Sequence, residues 1–144
     1  MTKETIWKTL EANPVSHLAT DDHGQPRVRA VLLYTGRPGE ILFHTGSFKD
    51  LYAQLSHNSR VELCFQDAAE GRQIRINGMA EEVEDRVLKD EICEHPTRTF
   101  LKAWRESGTL ENFYETFKVY RIADPKAHCW TMGENFAPKR EIAL

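Results

Sequence analysis

The sequence has few cysteines and no arrangement that pairs them. Cys64, Cys93 and Cys129 are the three cysteines in 144 residues, and no two of them form a C-x-x-C motif. An odd number of widely spaced thiols excludes a disulfide framework and provides no metal-binding motif. We therefore expect reduced thiols, no bound metal and a cytoplasmic protein.

Long apolar runs and an excess of basic charge are also missing. No apolar stretch approaches the roughly 20 residues that cross a bilayer, and the first ten residues lack the apolar block of a signal peptide. The 19 basic and 22 acidic side chains give a net charge of −3, which provides no electrostatic footprint for a polyanion. We expect neither a membrane nor a nucleic acid as partner.

What the sequence does contain is enough apolar material for one core. Residues of the hydrophobic class make up 40% of the chain and charged residues 28%, which is typical of globular proteins and excludes disorder. Cores of this length usually grow as one unit. We therefore expect a single domain over residues 1–144.

Alternation of apolar and polar residues predicts six or seven strands. The strands follow one another in runs instead of alternating with helices, which favours an antiparallel barrel with peripheral helices over a parallel sheet. The predicted strands are Val15–Thr20, Arg27–Tyr34, Ile41–Thr45, Arg60–Phe65, Gln73–Ala80, Tyr114–Ile122 and a short one at His128–Met132. The predicted helices are Thr2–Ala12, Phe48–Ser56, residues 81–94 with Val87, Leu88 and Ile92 inward, and a weak one within 97–113.

The second and third predicted strands form the most clearly patterned pair. A hairpin centred on their connection would place Tyr34 opposite Ile41 and Ala30 opposite Thr45. Arg29 would then lie beside the start of the next helix, where Ser47 is a natural N-cap.

A cation near that helix start points to an anion. Lys49 stands in the predicted first turn, where a positive charge opposes the helix dipole unless a bound anion reverses the sign. Arg29, Ser47, Lys49 and the helix N–H groups could together hold a phosphate monoester. The alternative is that both cations are surface charges and that Ser47 is only a cap, and the spacing alone does not decide between these two.

Four segments in order carry a resemblance to a known family. They are Arg29–Tyr34, then Phe43–Thr45 with Ser47 and Lys49, then Asn58–Phe65, then Arg72-Gln73 with Gly78–Glu81. Together they resemble the pyridoxamine 5′-phosphate oxidase superfamily of FMN-binding split barrels, and within it the general-stress-protein-like branch. The resemblance covers roughly residues 5–85, with a weaker fit over 114–122.

The resemblance implies an antiparallel six-stranded split β-barrel that forms a homodimer with FMN sites at the interface. It implies that Arg29 and Lys49 hold the FMN phosphate with Thr45 and Ser47. The backbone at Val31-Leu32 would lie along the flavin ring, and Gln73 would reach it from the other subunit. The implied cofactor-binding residues are Arg29, Ala30, Val31, Leu32, His44, Thr45, Ser47, Lys49 and Gln73.

Several departures leave the reaction open. Tyr34 stands where vitamin B6 oxidases have lysine, His44 stands for a tyrosine, and residues 130–144 lack their arginine and histidine substrate motif. The resemblance thus implies an FMN-dependent oxidoreductase of unknown substrate and electron donor, with no catalytic residue assigned. The alternatives are a flavin-binding protein without turnover and a haem-binding split barrel with a ligand such as His44. Trp104, Trp130 and Phe136 are either flavin or dimer contacts, or ordinary core and tail anchors.

Overall fold

The computed structural model describes all residues from 1 to 144 and contains one large sheet with five α-helices. The helices are α1 (Lys3–Ala12), α2 (Asp50–His57), α3 (Arg86–Glu94), α4 (Thr99–Ser107) and α5 (Phe113–Thr116). The strands are β1 (Val15–Asp22), β2 (Gln25–Leu32), β3 (Leu42–Gly46), β4 (Arg60–Asp67), β5 (Arg72–Glu82), β6 (Phe117–Thr131) and β7 (Ile142–Ala143).

The six main strands confirm the predicted antiparallel split barrel. Their order in the sheet is β2-β1-β4-β5-β6-β3, and the two-residue β7 adds to β6. Every pairing is antiparallel. Strands β2 and β3 are therefore the two edges, and the barrel is split between them.

The predicted hairpin between β2 and β3 is wrong. Strand β2 pairs along its whole length with β1, strand β3 pairs with β6, and the two edges meet only at a bridge between Tyr34 and Leu42. The reason is the turn at His23 and Gly24, whose φ values of 52° and 90° match the type I′ geometry that suits a two-residue hairpin. That turn pairs β2 with β1 and leaves its other edge free.

The last predicted strands are also different in the structure. Residues 113–116 form α5, and one continuous strand, β6, replaces the two expected around 114–122 and 128–132. The Asp124-Pro125 pair predicts a break between the two expected strands, and Asp124 does adopt a positive φ of 48°. The strand continues because a register shift in β5 between Asn77 and Met79 lies opposite this irregularity and absorbs it.

The helix in the acidic segment begins later than predicted. Strand β5 extends to Glu82, and α3 starts at Arg86, where the Asp85 carboxylate accepts hydrogen bonds from the Val87 and Leu88 backbone N–H groups at 2.9 and 3.2 Å. Leu88 and Ile92 are buried as expected, whereas Val87 is 73% exposed. The cap sets the helix phase, and that phase turns Val87 outward.

Two apolar clusters hold the elements together. The first fills the barrel and is covered by Ile6 and Leu10 of α1. The second lies between the barrel and α3, α4 and α5, and it includes Tyr34, Leu88 and Leu101. This second cluster packs the three helices beside the split. None of the helices combines the length and the apolar character that crossing a membrane requires.

We predict that Gly78→Ala destabilises the fold. A Cβ at residue 78 would lie 2.5 Å from Ile122 Cγ2 and 2.7 Å from the Ala123 carbonyl oxygen, and the backbone atom can move only by distorting the β5–β6 pairing. The expected loss is about 1–3 kcal/mol, measured by urea unfolding. Gly133→Ala is the matched control, because the nearest atom there is 4.0 Å away. Equal losses in the two variants would contradict the steric explanation.

Candidate functional site

A cleft of about 1140 Å³ opens where the edges β2 and β3 diverge. Residues 29–32 of β2 and 44–46 of β3 form its facing sides, and residues of α2, α4 and the 110–117 segment complete it. The split therefore exposes two strand edges, a helix start and an apolar helix face to one open cleft.

Arg29 is fixed at one end of this cleft by uncharged acceptors. Its Nη1 donates to Thr20 Oγ1 at 2.7 Å and to the Leu18 carbonyl oxygen at 3.3 Å, and its Nη2 donates to Gln54 Oε1. Thr20 in turn donates to Gln54 at 2.6 Å. Burial lowers the pKa of Arg29 from its ordinary value, but a guanidinium stays protonated at neutral pH. The positive charge is thus oriented without a salt bridge, although the Asp50 carboxylate, which also lines the cleft, acts on it electrostatically.

Lys49, and not Ser47, is the N-cap of α2. The chain turns first, with the Lys49 N–H donating to the Gly46 carbonyl oxygen at 3.0 Å, so the helix begins two residues after the predicted start. Ser47 does not cap the helix, and its backbone N–H donates to the Thr116 carbonyl oxygen at 2.9 Å. The exposed ammonium of Lys49 forms no ion pair and lies at the positive end of the helix dipole.

The structure brings most of the predicted site residues together. Ser47 does not line the cleft, and Gln73 lies on β5, paired with Gln66 and Trp130. The predicted residues that do line the cleft are Arg29, Ala30, Val31, Leu32, His44, Thr45 and Lys49.

A buried arginine that the sequence did not indicate lies behind His44. Arg98 is only 2% exposed and has no carboxylate partner. Its Nε donates to His44 Nε2 at 3.3 Å, and its Nη2 donates to the carbonyl oxygens of Leu32 and Leu33 at 3.2 and 2.9 Å. Nη1 donates to Thr97 Oγ1 at 2.8 Å. Arg98 therefore connects the end of β2 with β3 across the split.

This contact determines the chemistry of His44. Because Nε2 accepts a hydrogen bond from a permanent cation, the geometry assigns the proton of the neutral ring to Nδ1. Burial, together with the charges of Arg98 and Lys49, lowers the pKa of His44 to about 4. Nδ1 has no hydrogen-bond partner within the chain, and the residue lines the cleft. His44 is thus an uncharged hydrogen-bond donor at neutral pH.

The other end of the cleft is aromatic. Phe100 and Trp104 are 45% and 51% exposed, and their ring centroids are 6.0 Å apart in an edge-to-face arrangement. The Phe100 ring also lies 6.3 Å from that of His44. The charged side chains of α4 point away, with Lys102 paired to Glu94 and Arg105 to Asp90.

Tyr34 is not part of the cleft, although its sequence position suggested the active-site side. It is 2% exposed and donates its hydroxyl hydrogen bond to Glu91 Oε2 at 2.7 Å. Burial, and then this carboxylate, raise its pKa to about 12. Its position is a consequence of the bridge to Leu42, which turns the residue into the second core cluster.

Sequence reasoning therefore missed four important residues. Thr20, Gln54 and Arg98 carried no signal, because their roles depend on contacts between distant segments. Phe100 could have been found together with Trp104, since their spacing of four residues places both on one helix face.

Comparison with known families gives one extended match. Residues 2–116 match the family described as pyridoxamine 5′-phosphate oxidase. A curated relative, the pyridoxine/pyridoxamine 5′-phosphate oxidase of Pelagibacter ubique, is 27% identical over 110 residues, which cover 73% of this chain and 53% of the relative. The chain thus spans about half the length of the curated relatives it matches.

Solved structures share the fold over nearly the whole chain. A NimC/NimA family protein from Clostridium acetobutylicum has a TM-score of 0.75 at 18% identity and covers 98% of this chain and 92% of its own. General stress protein 26 from Bacillus anthracis has a TM-score of 0.70 at 14% identity, covering 99% and 98%. A pyridoxamine 5′-phosphate oxidase-related, FMN-binding protein from Nostoc punctiforme has a TM-score of 0.68 at 14% identity, covering 99% and 96%.

We predict that His44 is a neutral Nδ1–H tautomer that titrates near pH 4. Its pKa is lower in the folded state than its ordinary value of 6.5, so the folded state binds the proton less tightly than the unfolded state does. Its contribution, on the order of 3 kcal/mol, is present above pH 6.5 and is lost as the pH falls toward 4.

Ring nitrogen NMR shifts report both the tautomer and the midpoint of the titration. The exposed His17 is the internal control. A His44 midpoint near 6.5 would contradict this prediction, as would a proton on Nε2.

Proposed function

We propose that this chain, which belongs to the pyridoxamine 5′-phosphate oxidase family, binds FMN in its cleft and acts as an FMN-dependent oxidoreductase. The observation that carries the proposal is that two cations, neither of them in a salt bridge, line one cleft beside helix α2. Arg29 comes from β2 and Lys49 from the cap of α2, and both line the same cleft. A phosphate dianion at this place would neutralise both charges and accept hydrogen bonds from the helix N-terminus.

The rest of the cleft suits the remainder of the cofactor. Residues 30–32 present backbone and small or aliphatic side chains along one side, where a flat ring can approach closely. Thr45 lies near the cationic end and offers a hydroxyl group to the phosphate. The structurally similar protein from Nostoc punctiforme is an FMN-binding protein, which supports the same cofactor here.

When bound, FMN supplies two-electron redox chemistry, and the protein supplies position and electrostatics. In this proposal Arg29 and Lys49 bind the phosphate, and the aromatic helix face limits access of water. The absorption spectrum of the FMN-loaded protein under NADPH, followed by addition of an electron acceptor, tests for turnover. Loss and recovery of the flavin band supports an oxidoreductase, whereas a band that no donor reduces would mean a binding protein.

The haem alternative is less well supported by the site. His44 is the histidine nearest the predicted cofactor residues, and its Nε2 already accepts a hydrogen bond from Arg98. An imidazole in this position would have to give up that contact to bind iron. Arg29 and Lys49, which line the same cleft without forming salt bridges, also favour a phosphate-bearing ligand.

We also propose that the protein is a homodimer in which Gln73 approaches the partner's flavin. Gln73 and Arg75 lie on the same face of β5, outside the cleft of their own subunit. The buried Nε of Arg75 has an ion-pair contact with Glu62 Oε1 at 3.8 Å, which is too long for a hydrogen bond, and no hydrogen-bond partner within the chain. An unpaired buried donor is costly, and an acceptor from a second subunit would satisfy it.

We predict that Lys49→Ala and Arg29→Ala each weaken FMN binding by about ten- to a hundredfold. A charge-assisted hydrogen bond to phosphate contributes on the order of 1.5–3 kcal/mol. Titration of the flavin-free protein with FMN measures the change, and riboflavin, which lacks the phosphate, is the control ligand. Riboflavin affinity should hardly change.

Lys3→Ala is the control variant, because Lys3 is exposed and lies outside the cleft. Removal of Lys49 should leave the stability of the flavin-free protein unchanged or slightly higher, since its charge opposes the helix dipole. Equal losses for FMN and riboflavin would mean that the two residues act through the fold and that the phosphate lies elsewhere.

We predict that the flavin-free protein sediments as a dimer at micromolar concentration, because an acceptor from a partner would complete the hydrogen bonding of Arg75 Nε, whose one contact within the chain is the 3.8 Å ion pair with Glu62. Arg75→Glu should shift the equilibrium toward the monomer and weaken FMN binding, since a site completed by the partner is lost with it. A stable monomer of the unaltered protein would contradict the dimer and would leave Gln73 without a role.

A further inference from the structure

We propose that the part of the cleft formed by Phe100, Trp104 and His44 is a second subsite, which takes a flat, uncharged aromatic molecule carrying a hydrogen-bond acceptor. The proposal deepens the function proposed above by naming the substrate class, and it rests on FMN occupying the cationic end.

The first observation is a pair of large rings exposed toward a cavity. Phe100 and Trp104 leave 45% and 51% of their surfaces exposed, although Leu101 between them is buried. Their rings are at 83° to each other with centroids 6.0 Å apart. Aromatic pairs with this spacing can add a third ring in a stacked or edge-to-face position. Phe100 and Trp104, which we call the aromatic wall, thus offer a surface on which a flat ligand can stack.

The second observation is the distribution of charge within the cleft. The charged side chains that line it come from the β1–β2 hairpin and from the start of α2. By contrast, every lining residue contributed by the segment 100–117 is uncharged, and all but Thr116 are apolar. Residues 100–117 thus offer an anionic ligand no side-chain cation to pair with. The subsite therefore favours an uncharged molecule and disfavours a second phosphate ester.

The third observation is the unpaired donor at the base of the wall. Arg98 Nε donates a hydrogen bond to His44 Nε2 at 3.3 Å. The proton of the ring is therefore on Nδ1, where it has no acceptor within the chain. The His44 ring is 6.3 Å from Phe100 and 5.3 Å from Phe117. A ligand that lies against the aromatic wall would bring an acceptor, such as a carbonyl oxygen or a ring nitrogen, within reach of this proton. Arg98 acts here as a positioning residue.

The size of the cleft allows two occupants. Its volume in one subunit, about 1140 Å³, lies just above the roughly 300–1,000 Å³ that is usual for a site holding one small molecule, and the partner subunit of the proposed dimer would take part of that space. A flavin bound at Arg29 and Lys49 would leave room beside the aromatic wall. The two ligands would then be neighbours, as hydride transfer requires.

Benzamide is a suitable probe, since it is flat and uncharged and carries a carbonyl acceptor. Cyclohexanecarboxamide keeps the acceptor without the flat ring, and toluene keeps the ring without the acceptor. The indole N–H signal of Trp104 in a proton–nitrogen correlation spectrum, assigned with Trp104→Phe, reports binding to the FMN-loaded protein. We expect benzamide to bind about five- to tenfold more tightly than either control ligand.

Three variants separate the contributions of the subsite. Trp104→Ala should weaken benzamide about five- to tenfold with little change in FMN affinity, whereas Phe136→Ala, which removes a fully exposed ring outside the cleft, should change neither. His44→Phe should remove the preference for benzamide over toluene. His44→Asn, which keeps a donor near the position of Nδ1, should restore part of it.

The same titration on flavin-free protein keeps this proposal separate from the preceding one. Failure of FMN to bind would overturn the proposed cofactor, and benzamide binding would still be judged on its own. A Trp104 signal that benzamide leaves unmoved in both forms would overturn the subsite. If that signal changed instead when the protein was diluted to the monomer, a second copy of the chain would be covering the aromatic wall, and the subsite would be rejected.

Discussion

The guanidinium of Arg98 is the group on which the geometry of the split depends. Strands β2 and β3 do not form a ladder, and Arg98 spans the gap by donating to two carbonyl oxygens at the end of β2 and to His44 on β3. A buried charge is tolerated only when its donors are satisfied, and here each guanidinium nitrogen has an acceptor. The edges can therefore separate and still be held at a fixed distance.

The same contact links the scaffold to the electrostatics of the cleft. Burial, and then the positive charge of Arg98 behind the ring, keep the His44 imidazole neutral, and the hydrogen bond from Arg98 fixes its tautomer. The charged side chains of the cleft come from the β1–β2 hairpin and the start of α2, where Arg29 and Lys49 form no salt bridge, whereas His44 is an uncharged donor and residues 100–117 form an apolar side. This division into a charged end and an uncharged end supports one phosphate-bearing ligand and one neutral aromatic ligand.

Local pattern was sufficient to locate the strands, but not to pair them, and most of the candidate site residues came from the family resemblance. Alternation located the six main strands, and the resemblance assigned seven residues that share the cleft. The pairing of β2 could not be predicted from alternation. Strands β1 and β3 both adjoin β2 in sequence, and which of them pairs with it depends on the φ values of His23 and Gly24. The role of Arg98 could not be predicted for a different reason, because its acceptors, Leu32 and Leu33, lie more than sixty residues away in sequence. Ser47 was assigned as the cap because its residue type is favoured there, but the chain turns once more before the helix begins.

The split also leaves the sheet with two free edges, which a closed barrel would not have. Unpaired edge strands can join with those of other molecules, and proteins counter this with proline and charged residues on the edge. Strand β2 carries Pro26, Arg27 and Arg29 along its exposed length. Arg29 thus has a second consequence besides binding an anion: it opposes edge-to-edge association of ligand-free molecules. A substitution that removes this charge would then carry a solubility cost that a bound cofactor, by filling the gap between the edges, would reduce.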